Sequence, residues 1–205
     1  MLFSDEYQTI SEASKGEFKD RGSLFLALAF PVISEEQVKE LMTTVKKEHP
    51  KANHHCYAFS LGPGGQANRF SDDREPSGTA GKPIMGVIRS NELTDILIVV
   101  VRYFGGSLLG VPGLINAYKT AALASVNNAV KITKTITERY RILFPFELSG
   151  ELESLIRKSD AAIDQWISSH EGHLIVSVPR SGANMFLNSL RTHHLLNEKC
   201  TIELI

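Results

Sequence analysis

Ten of the fifteen glycines and four of the eight prolines fall between Gly62 and Gly113, and the same segment holds the most hydrophobic run of the chain, Ile96 to Tyr103. A linker rich in glycine would not enclose such a run. Glycine gathered around an apolar strand marks tight turns and close backbone approach, so the segment reads as the structured centre of a domain. Within it Thr79 to Ile88 suits a short helix. Past the strand, Gly105 and Gly106 lead into Leu114 to Val130, whose Ala and Leu content favours a helix.

The flanks supply the remaining elements. Gly22 to Phe30 is suited to a strand that Pro31 ends. Ser34 is placed as an N-cap, Glu35 and Glu36 stand where the helix dipole favours acids, and Val38, Leu41, Met42 and Val45 recur at helical spacing, so a helix is expected from Ser34 to His49. His55 to Leu61 alternates as a strand. Lys131 to Glu138, polar with scattered β-branched residues, reads as a connector or strand end, and the domain boundary is placed there. Beyond it come a strand (Tyr140 to Pro145), a helix (Ser149 to Ser159), strands (Ala161 to Ser169 and His173 to Val178), a helix (Gly182 to Thr192) and a strand (Cys200 to Ile205). This βαββαβ rhythm is the ferredoxin-like pattern. An α+β protein of two domains, residues 1–135 and 138–205, is therefore expected.

Charge narrows the functions. The chain carries 22 basic and 23 acidic residues. Up to Thr137 the split is 15 basic to 14 acidic, and beyond it 7 to 9, so neither part has the basic excess of a protein held on nucleic acid by phosphate neutralisation. The longest apolar run is far short of the roughly 20 residues of a membrane span. Asp5, Glu6 and Glu12 precede any apolar stretch, unlike a secretory signal. Two cysteines, Cys56 and Cys200, make no disulfide framework, which points to a reducing cytoplasm.

Four clusters bear chemistry. In His54-His55-Cys56, strand alternation lets His54 and Cys56 share a face while His55 takes the other. Two ligands do not complete a zinc site, and no Cys-x-x-Cys or His-x-x-x-His accompanies them. The loop from Phe70 to Pro83 crowds Asp72, Asp73 and Glu75 beside Ser77, Gly78, Thr79, Gly81 and Lys82. Its carboxylates can form a cation site or acid–base set, and its Ser77–Lys82 backbone can cradle an anion. Equally, its Asp and Ser side chains can serve only to cap turns and the next helix. Pro83 stands where a P-loop needs its hydroxyl, so no P-loop is present. The turn Arg102-Tyr103-Phe104-Gly105-Gly106 resembles a ligand ledge at a strand end, or a plain turn. His193-His194 is placed near a helix C-terminus, which suits a protonated histidine.

Ser71-Asp72-Asp73, with Glu75-Pro76-Ser77-Gly78-Thr79-Ala80-Gly81-Lys82-Pro83 and then Val99-Val100-Val101-Arg102-Tyr103-Phe104-Gly105-Gly106, closely resembles the signature of the YigZ/IMPACT family. His54-His55-Cys56, preceded by Ala52, sits where that family has its His-Cys strand. The resemblance covers Gly16 to about Val130, and the C-terminal part is similar to the small second domain of bacterial YigZ-type members. It implies an N-terminal domain folded like domain IV of elongation factor G and a small-subunit ribosomal protein, and a C-terminal domain like domain V of that factor. It also implies a link to translation, since eukaryotic relatives restrain an initiation-factor kinase by binding that kinase's activator. Arg74 stands where the family commonly has glycine, Pro112 replaces another glycine, and Asn116 occupies a frequently basic position, which weakens an anion site at the third cluster.

The leading expectation is a non-enzymatic, cytoplasmic binding protein that contacts a ribosome, RNA or a translation factor. Its ligand-binding residues would come from Asp72, Asp73, Glu75, Ser77, Gly78, Thr79, Gly81, Lys82, Arg102, Tyr103, Gly105, Gly106, His54 and His55. A phosphate or other anion is the expected small ligand, held by backbone N–H groups near Gly78–Gly81 and Gly105–Gly106, with Asp72 and Glu75 orienting Lys82 and Arg102. No catalytic residue, metal or cofactor is assigned, because no complete nucleophile–base–orienter set is visible. The alternatives are a small hydrolase or transferase using Asp72, Asp73 and Glu75 with His54 or Cys56, and a plain protein–protein module.

Overall fold

The computed structural model describes residues 5–167 and 171–205. It is a mixed α/β protein whose chain divides into two compact units, one of residues 7–134 and one of residues 135–205 with Asp5 and Glu6. In chain order the elements of the first part are β1 (Glu6–Ile10), β2 (Ser14–Asp20), β3 (Ser23–Pro31), α1 (Glu35–Glu48), β4 (His54–Leu61), β5 (Ala67–Ser71), α2 (Gly81–Ser90), β6 (Ile96–Tyr103), α3 (Gly110–Asn127) and β7 (Lys131–Thr135). There follow β8 (Thr137–Pro145), α4 (Ser149–Arg157), β9 (Ala162–Ile167), β10 (Glu171–Pro179), α5 (Ala183–Thr192), α6 (His194–Lys199) and β11 (Thr201–Leu204).

The first unit is built on an antiparallel five-stranded sheet in the order β2-β3-β6-β4-β5. The apolar run of β6 is its middle strand, buried on both faces. Leu97, Val99 and Val101 pack with Val38, Met42 and Val45 of α1. Ile96, Ile98 and Val100 pack with α2 and α3 through Ile84, Ile88, Ala117 and Ala121. All six of these β6 side chains are fully buried, and each such burial contributes about 1.5–3 kcal/mol.

Local signals set the ends of α1. Ser34 Oγ accepts from Gln37 N, Gln37 Oε1 accepts from Ile33 N, and the two glutamates occupy the first turn. Helix α3 begins a turn before its expected start and ends at Asn127 instead of Val130. Pro112 is accommodated because first-turn N–H groups have no helical partner to lose. Lys131 to Thr135, expected as a connector or strand end, is a full strand that pairs with β1 in a two-stranded sheet. No local pattern announced this, because its partner lies far earlier in the sequence.

The second unit is an antiparallel sheet in the order β11-β8-β10-β9. Tyr140, Ile142, Phe144, Leu174, Val176 and Val178 project from one face onto Leu152 and Ile156 of α4 and Phe186 and Leu190 of α5. Residues 168 and 169, the expected end of the strand from Ala161, lie outside the described residues. The His193-His194 pair joins two helices instead of ending the last one. His193 caps α5 and precedes α6, and His194 Nε2 lies 3.5 Å from Glu198 one turn on. No helix among the described residues is long and apolar enough to cross a membrane.

Candidate functional site

The loop between β5 and α2 is organised around Asp72. Its Oδ1 accepts from Ala80 N at 3.0 Å and Gly81 N at 2.8 Å, and its Oδ2 accepts from Gly78 N at 2.9 Å. These are the N–H groups that the sequence offered as an anion cradle. The cradle forms, but the protein's own carboxylate fills it. The reason is that α2 starts with no side-chain cap from Ala80, and a carboxylate at a helix start satisfies both the orphan donors and the dipole. Thr79 Oγ1 donates to Pro76 O at 2.7 Å, which closes the same turn. Ser77 is exposed. So is Lys82, which makes no ion pair among the described residues, so neither Asp72 nor Glu75 orients it.

Asp73 and Arg74 then reverse the chain through left-handed backbone, with φ of 37° and 71°. Position 74 is one that glycine would fill without strain. The reversal brings Asp73 Oδ2 to 2.7 Å from His55 N and Asp73 O to 2.8 Å from His54 Nδ1. His54 Nδ1–H donates to that carbonyl, and its Nε2 lies 3.7 Å from Glu75 Oε1.

Glu75 is the centre of a buried polar cluster. Its Oε1 accepts from Arg102 Nη1 at 2.6 Å and from Tyr118 OH at 2.7 Å. The Glu75 and Arg102 side chains are only 4% and 6% exposed. Cys56 Sγ continues the chain inward, 3.4 Å from Tyr118 OH and 3.1 Å from Asp72 O, the carbonyl being a partner its single S–H can donate to. Burial, followed by the nearby carboxylates, pushes the Cys56 thiol far above its ordinary range. Burial also holds the Tyr118 hydroxyl protonated. Tyr118 was not among the expected site residues. Its only sequence signal was a lone hydroxyl-bearing ring in an Ala-rich helix.

Strand alternation separates the remaining candidates. Arg102 and His54 face α2 and α3. Tyr103 and His55 face α1, where His49 Nδ1 meets Tyr103 OH at 2.8 Å and His55 Nε2 meets His49 O at 3.2 Å. Burial keeps the His55 imidazole below its ordinary pKa. Gly105 lies so close to β3 that an added Cβ would stand 1.9 Å from Gly22 C, and its N–H donates to Ser23 Oγ at 3.1 Å. That amide is therefore not available to an anion either, and the glycine is there for close approach.

The cluster opens on a cavity of about 390 Å³. Its polar wall is His54, Glu75 and Arg102. Its apolar wall runs from Phe104 through Leu108 and Val111 to Leu114. The Arg102 guanidinium lies 5.3 Å from the Phe25 ring centre and 5.5 Å from that of Phe104. A larger cleft of about 670 Å³ in the second unit, between α4 and α5, has only exposed charges, Glu151 and Lys158, in its wall. The acidic residues of the first-unit site are all engaged: Asp72 and Asp73 by backbone amides, Glu75 by Arg102 and Tyr118. What remains open to a ligand is an apolar wall facing a neutralised ion pair.

The Impact N-terminal domain matches residues 21–126 of this chain. The IMPACT family member YvyE of Bacillus subtilis (strain 168) is 33% identical over 153 residues, which is 75% of this chain and 70% of that protein. The IMPACT family member YigZ of Escherichia coli (strain K12) is 34% identical over 143 residues, 69% of this chain and 70% of that one. A crystal structure of a hypothetical protein superposes with a TM-score of 0.71 at 28% identity, covering 98% of this chain and 96% of that one.

Proposed function

Since this chain belongs to the YigZ/IMPACT family, we propose that it is a non-catalytic binding protein that regulates translation by contacting the ribosome or a translation factor through the cleft of its first unit. The observation that carries this reading is the commitment of the acidic loop. Asp72, Asp73 and Glu75 all accept short hydrogen bonds from the protein itself, and Cys56 is fully buried with its thiol held protonated. A hydrolase needs a free base beside an accessible nucleophile. The same groups here rigidify a cleft, which is what a recognition surface requires.

Two finer structural readings accompany the proposal. The first unit is taken to share the fold of domain IV of elongation factor G, on the strength of the family resemblance and the mixed α/β architecture. The second is taken as ferredoxin-like, a reading supported by the sheet order β11-β8-β10-β9 and the βαββαβ order of its main elements. A cytoplasmic site of action goes with a translation partner and two unpaired cysteines.

Co-sedimentation of the tagged chain with ribosomes and post-ribosomal factors, at low and at high salt, tests the reading. Association that survives high salt is expected, because an apolar contact is not screened. A chain that stays free of ribosomes and factors in both conditions would refute it.

A further inference from the structure

The cleft has a donor set that the protein leaves unused. A guanidinium carries five N–H donors. In Arg102 only Nη1 has a hydrogen-bond partner among the described residues, Glu75, and Nε is buried with none. A buried donor without an acceptor costs about 1–3 kcal/mol, and this one belongs to a side chain 6% exposed in the wall of a cavity. Nη2, which has no partner among the described residues and is not closed off as Nε is, is the edge of the guanidinium that offers a place for an acceptor from outside.

The charges around the cleft decide what kind. Glu75 lies 2.6 Å from Arg102, Asp73 3.9 Å from Arg74, and Asp20 3.7 Å from Arg21. Every nearby arginine is balanced by its own carboxylate. A phosphate or carboxylate guest would meet Glu75 as a like charge. An uncharged carbonyl oxygen has no such cost. Beyond the cavity the surface stays apolar: Phe104, Leu108, Val111 and Ile115 are 44%, 83%, 53% and 39% exposed within one turn and the start of α3. Contiguous exposed apolar side chains of this kind mark a surface that a protein partner covers.

Resting on the reading of the cleft as a binding site, we propose that its occupant is an uncharged apolar peptide segment of a protein partner, which places one side chain between Leu108, Val111 and Leu114 and one backbone carbonyl on Arg102.

The test is amide and arginine-Nε NMR on the full chain with three probes: N-acetyl-leucine amide, N-acetyl-leucine as the free acid, and inorganic phosphate. The capped amide is expected to shift Phe104 to Val111 and the Arg102 Nε–H. The free acid should bind about tenfold more weakly, and phosphate should leave these signals unmoved. Leu108→Ser and Val111→Ser, at exposed positions that folding does not depend on, should each weaken the amide about fivefold. Phosphate or the free acid binding as tightly as the amide overturns the assignment, as does an amide that shifts residues elsewhere. If the amide fails while ribosome association persists, the ligand assignment falls and the broader binding role stands.

Discussion

Replacing Arg102 tests whether its buried pair with Glu75 holds the first unit together. In the structure Glu75 is held by Arg102 and Tyr118, with its side chain 4% exposed. Arg102→Met keeps much of the volume and removes the charge, which leaves a buried carboxylate with one neutral hydrogen bond. Breaking a buried ion pair from one side costs about 3–5 kcal/mol. For a unit of this size each kcal/mol lowers Tm by about 3–4 °C, so the variant should melt about 9 °C or more below the parent. Glu75→Leu should cost a similar amount, because it strands the guanidinium. Combining the two removes both charges, and the double variant should be more stable than the sum of the single losses implies, giving a strong favourable coupling in the double-mutant cycle. Lys82→Ala is the control: the side chain is exposed and unpaired among the described residues, and its effect should stay within about 0.5 kcal/mol. Calorimetry on the four variants reads all of this directly. An Arg102→Met protein that melts within about 2 °C of the parent would show that the pair is not a clamp, and the reasoning from burial would be wrong.

Asp72→Ala empties the N–H cradle at the start of α2 and should cost about 2–3 kcal/mol in denaturant unfolding; millimolar phosphate should then stabilise the variant but not the parent, and a parent that responds equally would contradict the internal cap. Arg74→Gly relieves left-handed backbone at an exposed position and should stabilise by about 0.5–1 kcal/mol, so a lowered unfolding midpoint would count against strain there. Cys56 should resist Ellman's reagent until denaturant is added, while the half-buried Cys200 reacts first; rapid labelling of native Cys56 at neutral pH would reopen the nucleophile reading. Burial, with the hydrogen bond to Asp95 at 2.8 Å, pushes Tyr7 up to about 12. Because its folded pKa lies above the unfolded value, its contribution is complete below about pH 10 and lost as pH rises to about 12. The denaturation midpoint should fall across that window, and less so in Tyr7→Phe.

The residue pattern alone was enough to establish the run of β6 as a buried strand, the capped limits of α1 and the family signature, because each is written in contiguous residues: an unbroken apolar run, a serine followed by acids, a long motif. The period of two in a strand also separates Arg102 from Tyr103 and His54 from His55 without any coordinates. The β1–β7 pairing was not legible, since its strands are polar, short and far apart in the sequence, so neither carries a mark of the other. Nor was the fate of the acidic loop. Ser77 to Lys82 reads the same whether its amides await a phosphate or hold Asp72, and only the backbone reversal at Asp73 and Arg74 directs the choice. The cleft likewise arises from distance: Tyr118 reaches Glu75 across 43 positions, Arg102 across 27. Sequence determines which side chains can ionise, cap or pack. Which of them are left over for a partner is decided by the fold, because a buried charge or amide takes whatever acceptor or donor folding brings within 3 Å.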